Sequence, residues 1–152
     1  MRDATLCHLV TPADETLLIH KKRGVGSGQY VGPGGKVEPG ESPRECVVRE
    51  VREEVGIDVL NPEKAGEFAY FSDDWDARVH VYRATDYDGE PTETDEAVPA
   101  WFPVDDLPLE SMWPTDREWL PTVLDGGSFR GRFVYHAGGP RVVEVETGVD
   151  LD

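Results

Sequence analysis

Apolar and polar residues alternate in short runs over most of the chain. Each run is rich in β-branched or aromatic side chains and is bounded by turn residues, which is typical of a β-strand. Strands are predicted in seven runs, at residues 5–10, 16–21, 65–71, 77–85, 100–104, 129–136 and 141–146. The short turns that follow the first, third and sixth runs predict three hairpins.

One segment follows helical spacing instead, with four valines between residues 47 and 55 on one face. Ser42 is a natural N-cap, Glu45 completes a capping box three residues later, and Gly56 is the stop signal. A second helix is predicted at residues 115–124, before two glycines. Strands in mixed order with helices on either side predict an α/β fold, an α/β/α sandwich around a mixed β-sheet.

Three carboxylates share the polar face of the first helix. Glu50, Glu53 and Glu54 stand at i, i+3 and i+4, where like charges cost about a few tenths of a kcal/mol per pair. The glycine-rich loop at residues 22–35 leads into the segment that contains this acidic helix. Carboxylates beside such a loop predict a hard divalent cation that is bound through oxygen. The alternative is a solvated acidic helix face.

Residues 35–57 read G-x5-E-x7-R-E-U-x-E-E-x-G-U, where U is a bulky aliphatic residue. The fixed positions are Gly35, Glu41, Arg49, Glu50, Val51, Glu53, Glu54, Gly56 and Ile57. On this motif the chain is identified as a member of the Nudix hydrolase family. The resemblance implies the Nudix-type α/β/α sandwich and a hydrolase that cleaves a diphosphate link.

The resemblance also implies a metal site for Mg²⁺, with Mn²⁺ as a substitute. Its ligands would be Gly35, through the carbonyl oxygen, Glu50, Glu53, Glu54 and Glu96. The catalytic residues that it implies are Glu50, Glu53, Glu54, Arg49 and Glu96, with Arg49 orienting the carboxylates and Glu96 as an extra ligand or general base. Taken alone, Arg49 could form an ordinary helix ion pair, and Glu96 could be a solvated loop acid.

A closer resemblance is to the 8-oxo-dGTP diphosphatases, the oxidised-purine triphosphatases of this family. It rests on the loop KKRGVGSGQYVGPGGK at residues 21–36 and on the later motif Met112-Trp113-Pro114-Thr115-Asp116. The substrate-binding positions that it implies are Lys21, Val31, Phe68, Trp113, Thr115, Asp116 and Trp119. Aromatic rings would stack on the base while Asp116 bonds its edge. Taken alone, two tryptophans at helical spacing are more often core residues.

Two of these positions depart from the pattern of that group. Val31 stands where the group has an asparagine that contacts the base, and Thr115 stands where it has a second acid. Each lost polar contact could remove about 1–3 kcal/mol of discrimination, so we expect only a modest preference for oxidised guanine.

Charge limits the partners of the protein. With 152 residues we expect a single domain over residues 1–152, and 15 Lys+Arg against 31 Asp+Glu give a net charge of −16. Such a surface repels polyanions, so we expect a small-molecule nucleotide substrate and no nucleic acid polymer. The charge also suggests adaptation to high salt, although an ordinary acidic cytosolic protein would look similar. No signal peptide or membrane-length apolar run is present, so we expect a cytoplasmic protein without membrane contact. The oligomeric state stays open.

The leading hypothesis is Mg²⁺-dependent hydrolysis of a modified nucleoside triphosphate to the monophosphate and diphosphate, which would sanitise the nucleotide pool and so serve DNA repair. A second hypothesis keeps the chemistry but changes the substrate to a nucleotide sugar, a dinucleoside polyphosphate or an ordinary pyrimidine triphosphate. A third is a nucleotide sensor without turnover. The intact glutamates argue against the third, because a binder does not need such an acid cluster.

Overall fold

The computed structural model describes residues 1–24, 27–74, 76–136 and 139–151. The strands are β1 (Arg2–Leu9), β2 (Glu15–Lys21), β3 (Tyr30–Val31), β4 (Asp58–Leu60), β5 (Glu63–Ser72), β6 (Asp76–Ala84), β7 (Asp86–Asp88), β8 (Ala97–Pro103), β9 (Phe129–His136) and β10 (Gly139–Thr147). The α-helices are α1 (Pro43–Val55) and α2 (Leu120–Leu124), and 3₁₀ turns lie at Leu109–Ser111 and Pro114–Glu118.

A mixed sheet of five strands in the order β1-β6-β5-β9-β10 forms the centre of the fold. β1 runs parallel to β6 and β5 parallel to β9, while β5 and β6, and β9 and β10, are antiparallel. The second and third predicted hairpins are therefore confirmed, although residues 137 and 138 at the tip of the last one lie outside the described residues. A second sheet, in the order β3-β2-β8, carries the glycine-rich loop.

The first predicted hairpin is wrong. β1 pairs with β6 and β2 pairs with β3 and β8, so the two strands lie in different sheets and share only the bridge between Val10 and Thr16. The reason is that both edges of β1 are already used. Its other edge bonds the loop at residues 33–37, through Thr5 and Cys7.

Helix α1 forms as its termini predict. The Ser42 side chain accepts a hydrogen bond from the Glu45 amide, the Glu45 carboxylate accepts one from the Ser42 amide, and Gly56 ends the helix at φ 77°. Its valines pack with Cys7 and Leu9 on one side of the large sheet. The other side is covered by α2 and the 3₁₀ turns. These layers are the predicted α/β/α arrangement.

The second predicted helix is shorter and broken. Residues 114–118 form a 3₁₀ turn, and α2 begins only at Leu120, after Trp119 leaves helical geometry at φ −131°. Pro121 explains the break, because it has no amide hydrogen for the bond to Arg117 that a continuous helix needs. Among the helices of the described ranges, none is long and apolar enough to cross a membrane.

Candidate active site

The glycine loop is held against the edge of β1. The amide of Cys7 donates to the Pro33 carbonyl at 2.7 Å, and the amide of Thr5 donates to the Gly35 carbonyl at 2.8 Å. A Cβ on Gly34 would lie 2.0 Å from the Thr5 carbonyl oxygen, and a backbone atom cannot move aside. Glycine is therefore required at this position, and the close approach brings the loop beside helix α1.

The acidic face of α1 ranges from buried to exposed. Glu54 is 3% exposed and accepts a hydrogen bond from the Gly34 amide at 2.7 Å. The carboxylate of Glu50 packs against Gly35, where an added Cβ would lie 2.5 Å from its Cδ. The Glu53 side chain is 51% exposed and turns toward Arg49. Two of the three predicted carboxylates thus face the loop.

Burial makes the inner carboxylates hard to ionise. It raises the pKa of Glu54 to about 8, against the Gly34 hydrogen bond, and the charges of Glu50 and Glu96 add to the rise. Burial also raises the pKa of Glu50, although Arg49 opposes this, and Glu53 and Glu96 add repulsion. Buried carboxylates in this situation are stabilised by a cation. Because every donor is an oxygen, a hard divalent ion fits the site.

Arg49 organises the outer carboxylates. Its Nε and one terminal nitrogen donate to the two Glu41 oxygens at 2.6 and 2.9 Å, and its other terminal nitrogen donates to Glu50 at 3.0 Å and Glu53 at 3.1 Å. The Arg49 guanidinium holds the pKa of Glu41 down at about 2. Arg49 therefore does more than an ordinary helix ion pair, because it ties three carboxylates together.

The Gly35 carbonyl was predicted to bind the metal, but here it accepts hydrogen bonds from Thr5 and from the Cys46 thiol. Within the described residues, nothing donates to the Gly34 carbonyl. Gly34 is thus a candidate that the motif alone did not suggest. No group of three or more His, Cys, Asp or Glu side chains in the described ranges is already arranged as a metal site. One reason is that Glu53 points to Arg49.

The loop and the acidic face open into a cavity of about 480 Å³, a size that suits a small ligand. Ten of the predicted site residues line it: Lys21, Val31, Gly35, Glu50, Glu54, Phe68, Glu96, Trp113, Thr115 and Asp116. Arg49, Glu53 and Trp119 do not. Trp119 is 1% exposed and stacks on Phe129 at 5.0 Å between ring centroids, so it lies in the core.

Aromatic rings and a buried acid line the part of the cavity away from α1. Trp113 packs edge-on against Tyr70 at 5.9 Å and Tyr135 at 5.6 Å. Asp116 is 8% exposed, and burial raises its pKa to about 7. The Thr115 hydroxyl lies 2.6 Å from the Tyr135 hydroxyl, which also accepts the Thr115 amide hydrogen at 3.1 Å. Asp116 is therefore better placed than Thr115 to bond a ligand.

Several lining residues were missed from the sequence. Leu6 and His8 of β1 face the cavity, while Cys7 between them packs under α1. Tyr70 of β5 was also missed, and it lines the cavity together with Phe68, which was predicted. The signal was the two-residue period of a strand, but it becomes usable only when the pairing of β1 and β5 within one sheet is known.

Cations also gather at this cavity, although the protein carries a net charge of −16. Lys21, Arg23 and Lys36 all line it, and the Arg23 side chain is 68% exposed. Arg23 reaches to 4.0 Å from Glu96, which is 42% exposed. Cations beside buried carboxylates can attract the phosphates of a ligand that also brings a metal ion.

Known proteins resemble the chain in sequence and in structure. A family model of the NUDIX domain matches residues 1–123. The chain is 40% identical over 129 residues to an oxidized purine nucleoside triphosphate hydrolase of Danio rerio, covering 84% of this chain and 83% of that protein. The protein of the same name from Mus musculus is 37% identical over 129 residues, with the same coverage. A crystal structure of a MutT protein from Bacillus halodurans superposes with a TM-score of 0.82 at 31% identity, covering 99% of this chain and 100% of that one.

Proposed function

Since this chain belongs to the Nudix hydrolase family, we propose that it hydrolyses nucleoside triphosphates with an oxidised purine base, such as 8-oxo-dGTP. Water would cleave the bond between the α- and β-phosphates, and the products would be the nucleoside monophosphate and inorganic diphosphate. The observation that carries the proposal is one cavity that joins an acidic, glycine-lined part to an aromatic part. The vertebrate relatives, which are named for this activity, support the choice of substrate.

Nudix hydrolases generally use divalent metal ions, and the oxygen donors here suit Mg²⁺, with Mn²⁺ as a substitute. Glu50, Glu54 and the Gly34 carbonyl would hold the ion, and Glu53 and Glu96 are within the same acidic region. When bound, the ion would neutralise phosphate charge and lower the pKa of a water molecule. Arg49 would keep the carboxylates of Glu50 and Glu53 oriented.

The remaining groups would bind the nucleotide. Lys21, Arg23 and Lys36 would contact the phosphates, because they are three of the described cations that line the cavity. Phe68 and Trp113 would pack on the base, and Asp116 would bond its edge. Trp119 would support Phe68 from behind, since the two rings lie 5.5 Å apart.

The base preference should be modest. Val31 offers no polar group to a base, and the Thr115 hydroxyl is already bonded to Tyr135. We expect 8-oxo-dGTP to be preferred over dGTP by about tenfold in kcat/KM, worth roughly 1.4 kcal/mol. The same two positions leave an ordinary pyrimidine triphosphate as the second candidate substrate, because a pocket with fewer polar contacts discriminates less between bases.

Release of diphosphate from 8-oxo-dGTP, dGTP, 2-oxo-dATP and dCTP, measured side by side with Mg²⁺ and with excess EDTA, tests the proposal. The expected result is that diphosphate is released faster from the oxidised purine nucleotides than from the others, and that release stops in EDTA. A preference for dCTP, or equal rates for all four, would remove the role in nucleotide-pool sanitation and DNA repair. Binding without any hydrolysis would favour a nucleotide sensor.

A further inference from the structure

His8 is a buried histidine at the wall of the cavity. It is 1% exposed, and its ring packs edge-on against Trp119 with 5.6 Å between centroids. On another side stands Gly32, where an added Cβ would lie 2.7 Å from His8 Cε1 and 2.9 Å from Nε2. The ring is thus held in place by the Gly32 backbone and the Trp119 indole, and it lines the same cavity as Asp116.

Neither ring nitrogen of His8 has a hydrogen-bond partner among the described residues. Buried polar atoms are nearly always bonded, and leaving one without a partner costs free energy. Burial lowers the pKa of His8 to about 4, so the imidazole is neutral near pH 7. A neutral imidazole has one donor and one acceptor nitrogen and can match either a carbonyl or an N–H group of a ligand.

We propose that His8 hydrogen-bonds the base of the bound nucleotide and helps determine which base the enzyme accepts. This inference rests on the proposed function. Neither Val31 nor Thr115 can supply this hydrogen bond, because Val31 has no polar group and the Thr115 hydroxyl is already bonded to Tyr135. Asp116 and His8 would then both bond the base. Because both His8 nitrogens are buried in this structure, nucleotide binding would have to shift the ring slightly toward the cavity, where a polar base edge satisfies a nitrogen that is otherwise without a partner.

The variant His8→Leu removes both nitrogens and replaces the imidazole with an apolar side chain of similar size. We expect KM for the best nucleotide to rise about tenfold, the value of one hydrogen bond, while kcat stays within about twofold. The difference in kcat/KM between bases should shrink. A merely structural His8 would leave KM and base preference unchanged, because an apolar side chain suits the core at least as well.

His20→Leu is the matched control. His20 lies in β2 and packs on Tyr30 with 5.0 Å between ring centroids, and it does not line the cavity. The control should leave KM for every nucleotide unchanged. Thermal unfolding of both variants checks the fold, and His8→Leu should melt no lower than the parent protein.

A binding measurement tests His8 in the unaltered protein and without turnover. The ring ¹⁵N signals of His8 are followed by NMR while dGMP, 8-oxo-dGMP or dCMP is added in metal-free buffer. We expect one ring nitrogen to shift when a base occupies the pocket, as reported by the Trp113 indole signal. Hydrolysis with unchanged His8 signals and unchanged KM in His8→Leu overturns this inference alone. Absence of hydrolysis with shifted His8 signals supports it and overturns the proposed function, and absence of both binding and hydrolysis overturns both.

Discussion

The Gly34 amide donates a 2.7 Å hydrogen bond to the carboxylate of Glu54, whose side chain is almost fully buried. This contact joins the glycine loop to the inner end of the acidic helix face. It also orients a carboxylate that would otherwise lie buried without a donor, since in the described residues Arg49 reaches Glu41, Glu50 and Glu53 instead.

Glu54→Gln should abolish most activity without unfolding the protein. A glutamine oxygen can still accept the Gly34 hydrogen bond, but the charge that would hold the cation is lost. We expect kcat to fall by about 10³-fold or more, with metal-free stability at least equal to that of the parent, since burying a carboxylate is unfavourable. Steady-state kinetics, Mn²⁺ titration and urea unfolding measure these quantities. Glu144→Gln, at a half-exposed site on β10, is the control that should change none of them.

Glu53→Gln should also lower kcat by several orders of magnitude, because Glu53 is a predicted metal ligand. Its side chain is half exposed, so the unfolding midpoint should move little. Near-normal turnover in both the Glu53 and the Glu54 variant would refute the assignment of the acidic face.

Arg49→Lys should loosen the acidic face. A lysine cannot bond both Glu41 oxygens and still reach Glu50 and Glu53, because it lacks the planar fork of arginine. We expect a loss of about 1–2 kcal/mol in unfolding free energy, which is less than a fully buried site would lose because this site is partly open to solvent. We also expect half-maximal activity to need a higher Mg²⁺ concentration. The control Arg52→Lys changes the exposed pair with Asp58 on the same helix and should cost less than about 0.5 kcal/mol. Equal losses in the two variants would contradict the role of Arg49.

Asp116 should make stability and base preference depend on pH. Burial raises its pKa from 3.8 to about 7, so at intermediate pH the folded protein keeps a proton that the unfolded chain has released. The stability from this group is complete below about pH 4 and is lost as the pH rises through about 7. Asp116→Asn should make the decline in unfolding free energy between about pH 4 and 7, measured by urea unfolding, smaller; the part caused by Glu54 remains.

Substrate kinetics check the same residue independently. Below about pH 7 the Asp116 carboxyl can donate a hydrogen bond to a base, whereas above it the carboxylate only accepts. The ratio of kcat/KM for 8-oxo-dGTP and dGTP should therefore change across this range, and it should stop changing in Asp116→Asn. A ratio that is flat with pH in the parent protein would exclude Asp116 from base recognition.

Salt should stabilise the protein if the net charge of −16 reflects life at high ionic strength. Salt shortens the range of the repulsion among surface carboxylates to about 10 Å at 0.1 M and to about 3 Å at 1 M. We expect the thermal midpoint to rise steadily between low and molar KCl. Equal midpoints at both ends would leave only an acidic protein without halophilic adaptation.

Local chemistry determined helix α1 and the family. The N-cap, the capping box and the glycine stop act within a few residues of each other, so Ser42, Glu45 and Gly56 define the helix without help from the rest of the chain. The spacing of Glu50, Glu53 and Glu54 is equally local. The two confirmed hairpins are also short-range, because each joins strands that are neighbours in sequence.

Only the tertiary structure decided which strands share a sheet and which side chains share the cavity. β1 pairs with β6, 75 residues later in the chain, and the loop at residues 33–37 occupies the other edge of β1, which leaves no edge for β2. That pairing turns Leu6 and His8 toward the cavity and Cys7 toward α1, and packing sends Trp119 into the core rather than to the wall. Packing of the glycine loop against helix α1 also leaves Glu54 buried and Glu53 exposed, although both lie on one helix face. Local propensity is the same for either outcome, whereas burial depends on which distant surfaces come together.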